Sequence, residues 1–221
     1  MTAPELHFLR LFPLGGVVLF PDMQLPLHVF EPRYQQLTEE CLEEDEPFGV
    51  LLLRSGAEVA DVEAQPYAIG TTAHIRQSEP LGGGRMSLLA VGGKRFKVHT
   101  FLHDRPYPSA EVEFLEDESP EDISDDLIKD LQQAVTAYIQ SSSQVQKDWA
   151  GGELTLPNQP TELSYLVAQA FQGDNRTQQR FLEAETTTSR LQLELEQVKQ
   201  AQAQLLRRAD RQGPGRGFSA N

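Results

Sequence analysis

The sequence is short of cysteine, of long apolar runs and of positive charge, and each lack closes off a class of protein. Cys41 is the single cysteine among 221 residues, so no intramolecular disulfide can form and nothing signals an oxidising compartment. It sits in TEECLEE, beside carboxylates that raise a thiol pKa, and reads as a small buried helix residue. No stretch of about 18 apolar residues occurs, so no membrane span is expected. The start, MTAPELHFLR, lacks the basic opening and apolar run of a signal peptide, which makes the cytoplasm the expected location. Lys and Arg number 19 against 33 Asp and Glu, a formal net charge of −14. That field repels phosphate backbones and anionic lipid surfaces, so neither nucleic acid nor membrane is the expected partner.

Catalytic signatures are missing too. The one Gly-Lys pair, Gly93-Lys94, fails as a phosphate loop at both ends: Leu88 stands where the first Gly belongs and Arg95 follows the Lys. Neither G-x-S-x-G nor H-E-x-x-H occurs. His99 and His103 are four apart among β-branched and aromatic neighbours, and extended backbone holds that spacing too far apart to share a metal; no further ligands accompany them. The acidic runs Glu43–Glu46 and Glu116–Glu118 are consecutive, whereas paired acid-base work needs carboxylates facing across a cleft. They read as solvated surface. No enzyme activity, cofactor or metal is expected.

What is present falls into two halves. Up to residue 118, short β-branched and aromatic runs alternate with turn signals. Strands are predicted at Val17–Phe20, Phe48–Leu53, Thr71–Gln77, Met86–Val91, Arg95–Phe101 and Ala110–Leu115, with Leu81–Arg85 as a hairpin loop. One helix interrupts them, opened by Glu31-Pro32 and carrying Tyr34, Leu37, Cys41 and, as a further candidate, Leu42 at helical spacing. Residues 119–206 are helical in pattern. Ser119-Pro120-Glu121-Asp122 reads as a helix start, followed by the stripe Ile123, Leu127, Leu131, Val135 and Tyr138. A second helix carries Leu163, Leu166, Val167, Ala170 and Phe171. Gly173-Asp174-Asn175 then caps a third, with Phe181 and Leu182. The last helix begins near Thr187 or Thr188, and its narrow stripe of Leu191, Leu195, Val198 and Leu205 suits either docking on its neighbours or a homodimer. Residues 207–221, with Arg207, Arg208, Arg211 and Arg216, read as a basic flexible tail.

The ordered motifs resemble the N-terminal, substrate-binding domain of the Lon protease family. The steps are Phe12-Pro13-Leu14, Val17-Val18-Leu19-Phe20-Pro21, Leu25-Pro26-Leu27, Glu31-Pro32-Arg33-Tyr34, Phe48-Gly49-Val50, Gly70-Thr71 and Gly92 to Phe96. Leu163-Ser164, Gln179 to Glu183 and Arg190-Leu191 continue it through the helical half. The family often has Gly after Phe-Pro; this chain has Asp22. The resemblance implies an α+β fold: a small antiparallel PUA-like β-barrel with one inserted helix (1–118), followed by a helical subdomain (119–206). It does not extend to the ATPase and peptidase of a full Lon protease, so a stand-alone binding module is expected.

Phe20, Leu27, Phe30 and Phe96 read as core, and Arg33 and Arg95 as ties between loops and carboxylates. The candidate binding residues are Met23, Gln24, Leu25 and Pro26, in a loop bracketed by Pro21 and Pro26 that carries two apolar side chains. The expected partners are unfolded or apolar protein segments, or one dedicated protein, in an adaptor or regulatory role in protein quality control. The alternatives are RNA binding through the basic tail and, behind it, a component of an ATP-dependent peptidase.

Overall fold

A computed structural model describes residues 4–54, 65–145, 156–171 and 174–212. It has six strands and five helices: β1 (His7–Leu14), β2 (Gln24–Val29), α1 (Pro32–Glu44), β3 (Phe48–Leu52), β4 (Ile69–Gly82), β5 (Arg85–Leu102), β6 (Ser109–Leu115), α2 (Asp125–Val145), α3 (Pro160–Ala170), α4 (Asn175–Glu183) and α5 (Thr187–Gln212). The chain folds as two units. One holds Met1–Asp117 and Ala168–Glu183, the other Glu118–Val167 and Ala184–Asn221.

In the first unit the strand order is β2-β5-β4-β3-β1-β6, and β5 also pairs with β6. The pairings therefore run β5–β4–β3–β1–β6 and return to β5, leaving β2 paired with β5 alone among the described residues. The sheet is not antiparallel throughout: β1 and β3 are parallel, Leu11 opposite Gly49. A parallel neighbour needs a crossover, and α1 lies within the one between β1 and β3. The two strands predicted over Met86–Val91 and Arg95–Phe101 are one 18-residue strand, β5, running through Gly92-Gly93. Its N-terminal half serves β2 and its C-terminal half β6. The β4–β5 hairpin turns through Gly82, Gly83 and Gly84, all at positive φ, which glycine adopts without a Cβ penalty.

Val17–Phe20 is not a strand. Val18, Leu19 and Phe20 are buried, but the segment crosses the sheet instead of joining a ladder. Leu19 O accepts from the Thr71 hydroxyl at 2.6 Å. A turn follows, with Met23 N–H donating to Phe20 O at 3.2 Å and Asp22 at φ 62. Gly92 then clamps the turn, donating to Met23 O and accepting from Asp22 N–H, both at 2.9 Å. β1, absent from the predicted strands, is buried on both faces. Leu9 and Leu11 enter one core with Leu51, Phe96, Val98, Ala110 and Val112. Phe12 enters a second, with Leu25, Val29, Tyr34, Leu37, Cys41 and Phe48. Such a strand lacks the apolar-polar alternation that a half-buried one shows.

α1 starts as expected, with Glu31 at the N-cap and Pro32 at the first position, and it buries Tyr34, Leu37, Thr38 and Cys41. Tyr34 stacks on Phe12 with ring centroids 4.1 Å apart. α4 is capped by Asp174, whose carboxylate accepts the Thr177 N–H at 3.0 Å.

In the second unit the helix expected from Ser119 begins later. Pro120–Asp122 form a single 3-10 turn, and α2 opens at Asp125. α5 packs against α2, and its Leu191, Glu194 and Val198 are buried. Thr186 and Ser189 cap it reciprocally: Ser189 N–H donates to Thr186 Oγ1 at 3.1 Å, and Thr186 N–H donates to Ser189 Oγ at 3.2 Å. α5 runs to Gln212, so Arg207, Arg208 and Arg211 are helical and not part of a tail from 207. Residues 213–221, with Arg216, lie outside the described residues.

Candidate functional site

The four residues predicted as a binding loop are placed differently from one another. Met23 closes the turn after Asp22 and packs, half-buried, against the α1 side of the sheet. Gln24, Leu25 and Pro26 are not loop residues; they begin β2, opposite Val91, Ala90 and Leu89. The proline read as the end of a loop is tolerated because β2 is an edge strand among the described residues. Met23 O points to Gly92, so strand alternation turns the backbone of Pro26 away from β5, where no ladder bond is lost. Alternation also separates the side chains: Gln24 and Pro26 are exposed, and Leu25 is 3% exposed in the core.

Beside this edge lies an apolar rim. Met23, Leu27 and, opposite Val29 on β5, Met86 are partly buried and pack against the core that α1 shares, as do Val17 and, on β4, Ile75. Leu27 is therefore rim and not interior. Phe30, predicted as core, is 63% exposed. It follows the last β2 residue, and its carbonyl accepts from Gln35 Nε2 at 3.1 Å, which fixes the backbone and leaves the ring in water. Among the described residues the outer edge of β2 has no strand partner and lies beside half-exposed apolar side chains, so it can accept an extended apolar chain by strand addition.

An ion network holds α1 against β1. The Arg10 guanidinium, buried on β1, reaches Glu40 at 3.2 Å, Glu44 at 2.6 Å and Glu46 at 2.8 Å. Burial alone would lower its pKa; its bonds to Glu44, Tyr107, Glu46 and Glu40 more than reverse that and hold it above its ordinary value. Glu40 also accepts from the Tyr107 hydroxyl and from Arg105 at 3.1 Å. The Tyr107 bond leads in holding Glu40 below the usual carboxylate range. Cys41, one residue on, is inert: burial, more than the neighbouring carboxylates, pushes its thiol up to about 12.

The two arginines expected to tie loops do so. Arg33 pairs with Glu31 at 2.8 Å, and Arg95, buried, pairs with Asp117 at 2.9 Å and donates to Leu182 O at 3.0 Å. His99 pairs with Glu113 at 2.9 Å. Among the described residues no group of three or more His, Cys, Asp or Glu could hold a metal, and no helix is long and apolar enough to cross a membrane.

Sequence reasoning missed Arg10 and the polar cluster of the second unit. There Arg190 Nε donates to Ser164 Oγ at 2.6 Å, and Ser164 Oγ donates to Glu194 at 2.9 Å. The Arg190 guanidinium lies 4.2 Å from the Tyr165 ring centroid. Burial pushes the Glu194 carboxyl well up. The signal was present: Arg190 and Glu194 are one turn apart on the stripe side of α5, beside Leu191 and Val198, where a surface pair would not stand.

The model of the ATP-dependent protease La (LON) substrate-binding domain matches residues 9–200. The chain belongs to that family. Among curated Lon relatives, the Lon protease of Cytophaga hutchinsonii is 24% identical over 188 residues, covering 82% of this chain and 23% of that protein. Lon protease 2 of Sorangium cellulosum is 28% identical over 201 residues, 89% of this chain and 25% of that protein. The chain thus spans a quarter or less of these Lon proteases. Two solved structures share the fold. The Lon N-terminal domain protein from Xanthomonas campestris aligns with TM-score 0.61 at 23% identity, over 84% of this chain and 95% of that one. The N-terminal domain of Mycobacterium avium complex Lon protease gives 0.64 at 16%, over 87% and 98%. The matched Lon region is the substrate-binding one, which carries no catalysis.

Proposed function

We propose that this chain is a non-enzymatic recognition module that takes unfolded or apolar protein segments along the free edge of β2, as an adaptor or regulator in protein quality control. One observation carries the reading: within a Lon substrate-binding domain, the one strand of the first unit with a single described partner is flanked by the rim Met23, Leu27 and Met86 and by the exposed Phe30. Backbone groups of β2 supply sequence-independent hydrogen bonds, and the rim supplies apolar contact at alternate side chains of an incoming strand. Adaptable methionine side chains suit varied clients. The ring of pairings through β5, β4, β3, β1 and β6 supports a PUA-like barrel as the scaffold.

The test uses reduced, carboxymethylated lactalbumin, which stays unfolded, against native lactalbumin. The full chain is expected to bind the unfolded form at least about tenfold more tightly, by fluorescence anisotropy, since only it offers free strand and apolar surface. Equal affinity for the two forms, or none for either, would sink the proposal.

A further inference from the structure

The first unit contains a concavity whose described lining shares no residue with the β2 edge. It has a volume of about 340 Å³ and is lined by Gly15, Leu52, Leu53, Arg54, Tyr67, Asn175 and Arg176. Two features set it apart. The chain has far more carboxylates than cations, yet this cavity carries two guanidinium groups and, among its described lining residues, no Asp or Glu. And its walls are built on paired backbone. Leu53 N–H donates to Leu14 O at 2.9 Å, Arg54 N–H to Gln65 O at 3.0 Å, and Tyr67 N–H to Leu52 O at 2.8 Å.

Arg54 lies with its guanidinium 4.7 Å from the Tyr67 ring centroid. Stacking on an aromatic face orients the planar fork and leaves its N–H edges for an acceptor. Arg176 comes from the first turn of α4. The nearby carboxylate of Asp174 caps that helix through the Thr177 N–H, is also stabilised by the Arg176 charge, and is not among the described lining residues. Leu52, Leu53 and the Tyr67 ring supply the apolar part of the lining. Fork-shaped donors beside an apolar wall match a carboxylate on an otherwise apolar residue. A polyphosphate or nucleic-acid strand fits poorly, because the net charge of −14 opposes it beyond the reach of two arginines.

We infer that the Arg54–Arg176 cavity binds a peptide carboxylate, so that the chain selects client segments carrying an acidic group, either a chain-terminal carboxylate or an Asp or Glu side chain. The inference rests on the recognition reading above and adds a selectivity that the β2 edge alone does not supply.

Three labelled ten-residue apolar peptides separate the possibilities: one with a free α-carboxylate, its C-terminal amide, and the amide with one internal Asp. Anisotropy would be read with the full chain, with Arg54→Gln/Arg176→Gln, and with Phe30→Ser. Both arginines are exposed, so the double variant should keep the wild-type melting midpoint. The free acid is expected to bind the wild type about tenfold more tightly than the amide, weakening in high salt, and the double variant should erase that preference. An internal-Asp peptide that matches the free acid assigns the site to carboxylates of either source; one that matches the amide assigns it to chain ends. Amide and acid binding equally, a preference that survives in the double variant, or displacement of the acid by millimolar inorganic phosphate would overturn the inference while leaving edge recognition intact. No binding by any peptide, in wild type or variants, would overturn both.

Discussion

Arg95 on β5 donates to the carbonyl of Leu182, 87 residues away near the end of α4, at 3.0 Å. The same guanidinium pairs with Asp117 at 2.9 Å, and its side chain is almost wholly buried. One side chain thereby joins the sheet to the distant helix that belongs to the same unit. Replacing it removes the guanidinium donor from a buried carbonyl and from a partly buried carboxylate. Arg95→Met is expected to cost about 3 kcal/mol, read by urea denaturation. Lysine should not rescue it, since a single ammonium does not reproduce the planar fork. A loss under about 1 kcal/mol would mean the tie is incidental.

Glu40 gives the Arg10 network a pH dependence of known sign. Its carboxyl is held below the ordinary value of 4.5, first by the Tyr107 hydroxyl and then by Gln36, Arg10 and Arg105. In the window below 4.5 the unfolded chain therefore binds the proton first. Glu40 contributes stability above that value and loses it as pH falls through the depressed native pKa. Glu40→Gln should be less stable than wild type at pH 7, and the gap should narrow towards pH 3. A gap that stays constant across that range would remove Glu40 from the acid response.

Gly92 lies where the buried Leu19–Phe20 segment crosses β5. A Cβ there would overlap the Phe20 carbonyl oxygen, which is backbone and cannot rotate aside. Gly92 also makes both hydrogen bonds that clamp the turn before β2. Gly92→Ala is expected to cost about 3 kcal/mol and to loosen the β2 edge, seen as faster amide exchange at Leu25 and Leu27. The adjacent Gly93 meets the side chains of Thr72 and His74 instead, which can shift, so Gly93→Ala should cost less.

This geometry explains what could be read from the sequence. The step from Gly92 to Phe96 is legible because each of its marked residues has one environment: a close backbone crossing at Gly92, a buried ion pair at Arg95, the sheet core at Phe96. Asp22 departs from the family's usual Gly at a position where φ is 62, a conformation that Asp tolerates better than most residues. The start of α1 was legible from Pro32, and that of α5 from its threonines. Val17–Phe20 misled because apolarity reports burial, not pairing. Phe30 misled for the opposite reason: nothing local distinguishes a strand-end aromatic that packs from one left in water. The parallel β1–β3 pair and the Arg10 network depend on residues about 30 to 40 apart, beyond any periodic pattern. The four candidate binding residues read as a loop, whereas Gln24, Leu25 and Pro26 begin β2, and nothing local marks the alternation that divides them.

That alternation predicts opposite phenotypes from two apolar residues near the ends of β2. Leu25 is 3% exposed and packs in the α1-side core, whereas Phe30 is 63% exposed. Leu25→Ala removes buried volume and should cost about 3 kcal/mol, with affinity for unfolded lactalbumin little changed in the molecules that remain folded. Phe30→Ser removes no packed contact from the core and should move stability by no more than about 0.5 kcal/mol. It should nevertheless weaken that binding about fivefold, as the loss of an aromatic contact worth roughly 1 kcal/mol would. Denaturation and anisotropy on the same two preparations check both halves. If Leu25→Ala alone lost binding while Phe30→Ser kept it, the edge would matter only as a part of the fold, and the client surface would have to be sought elsewhere.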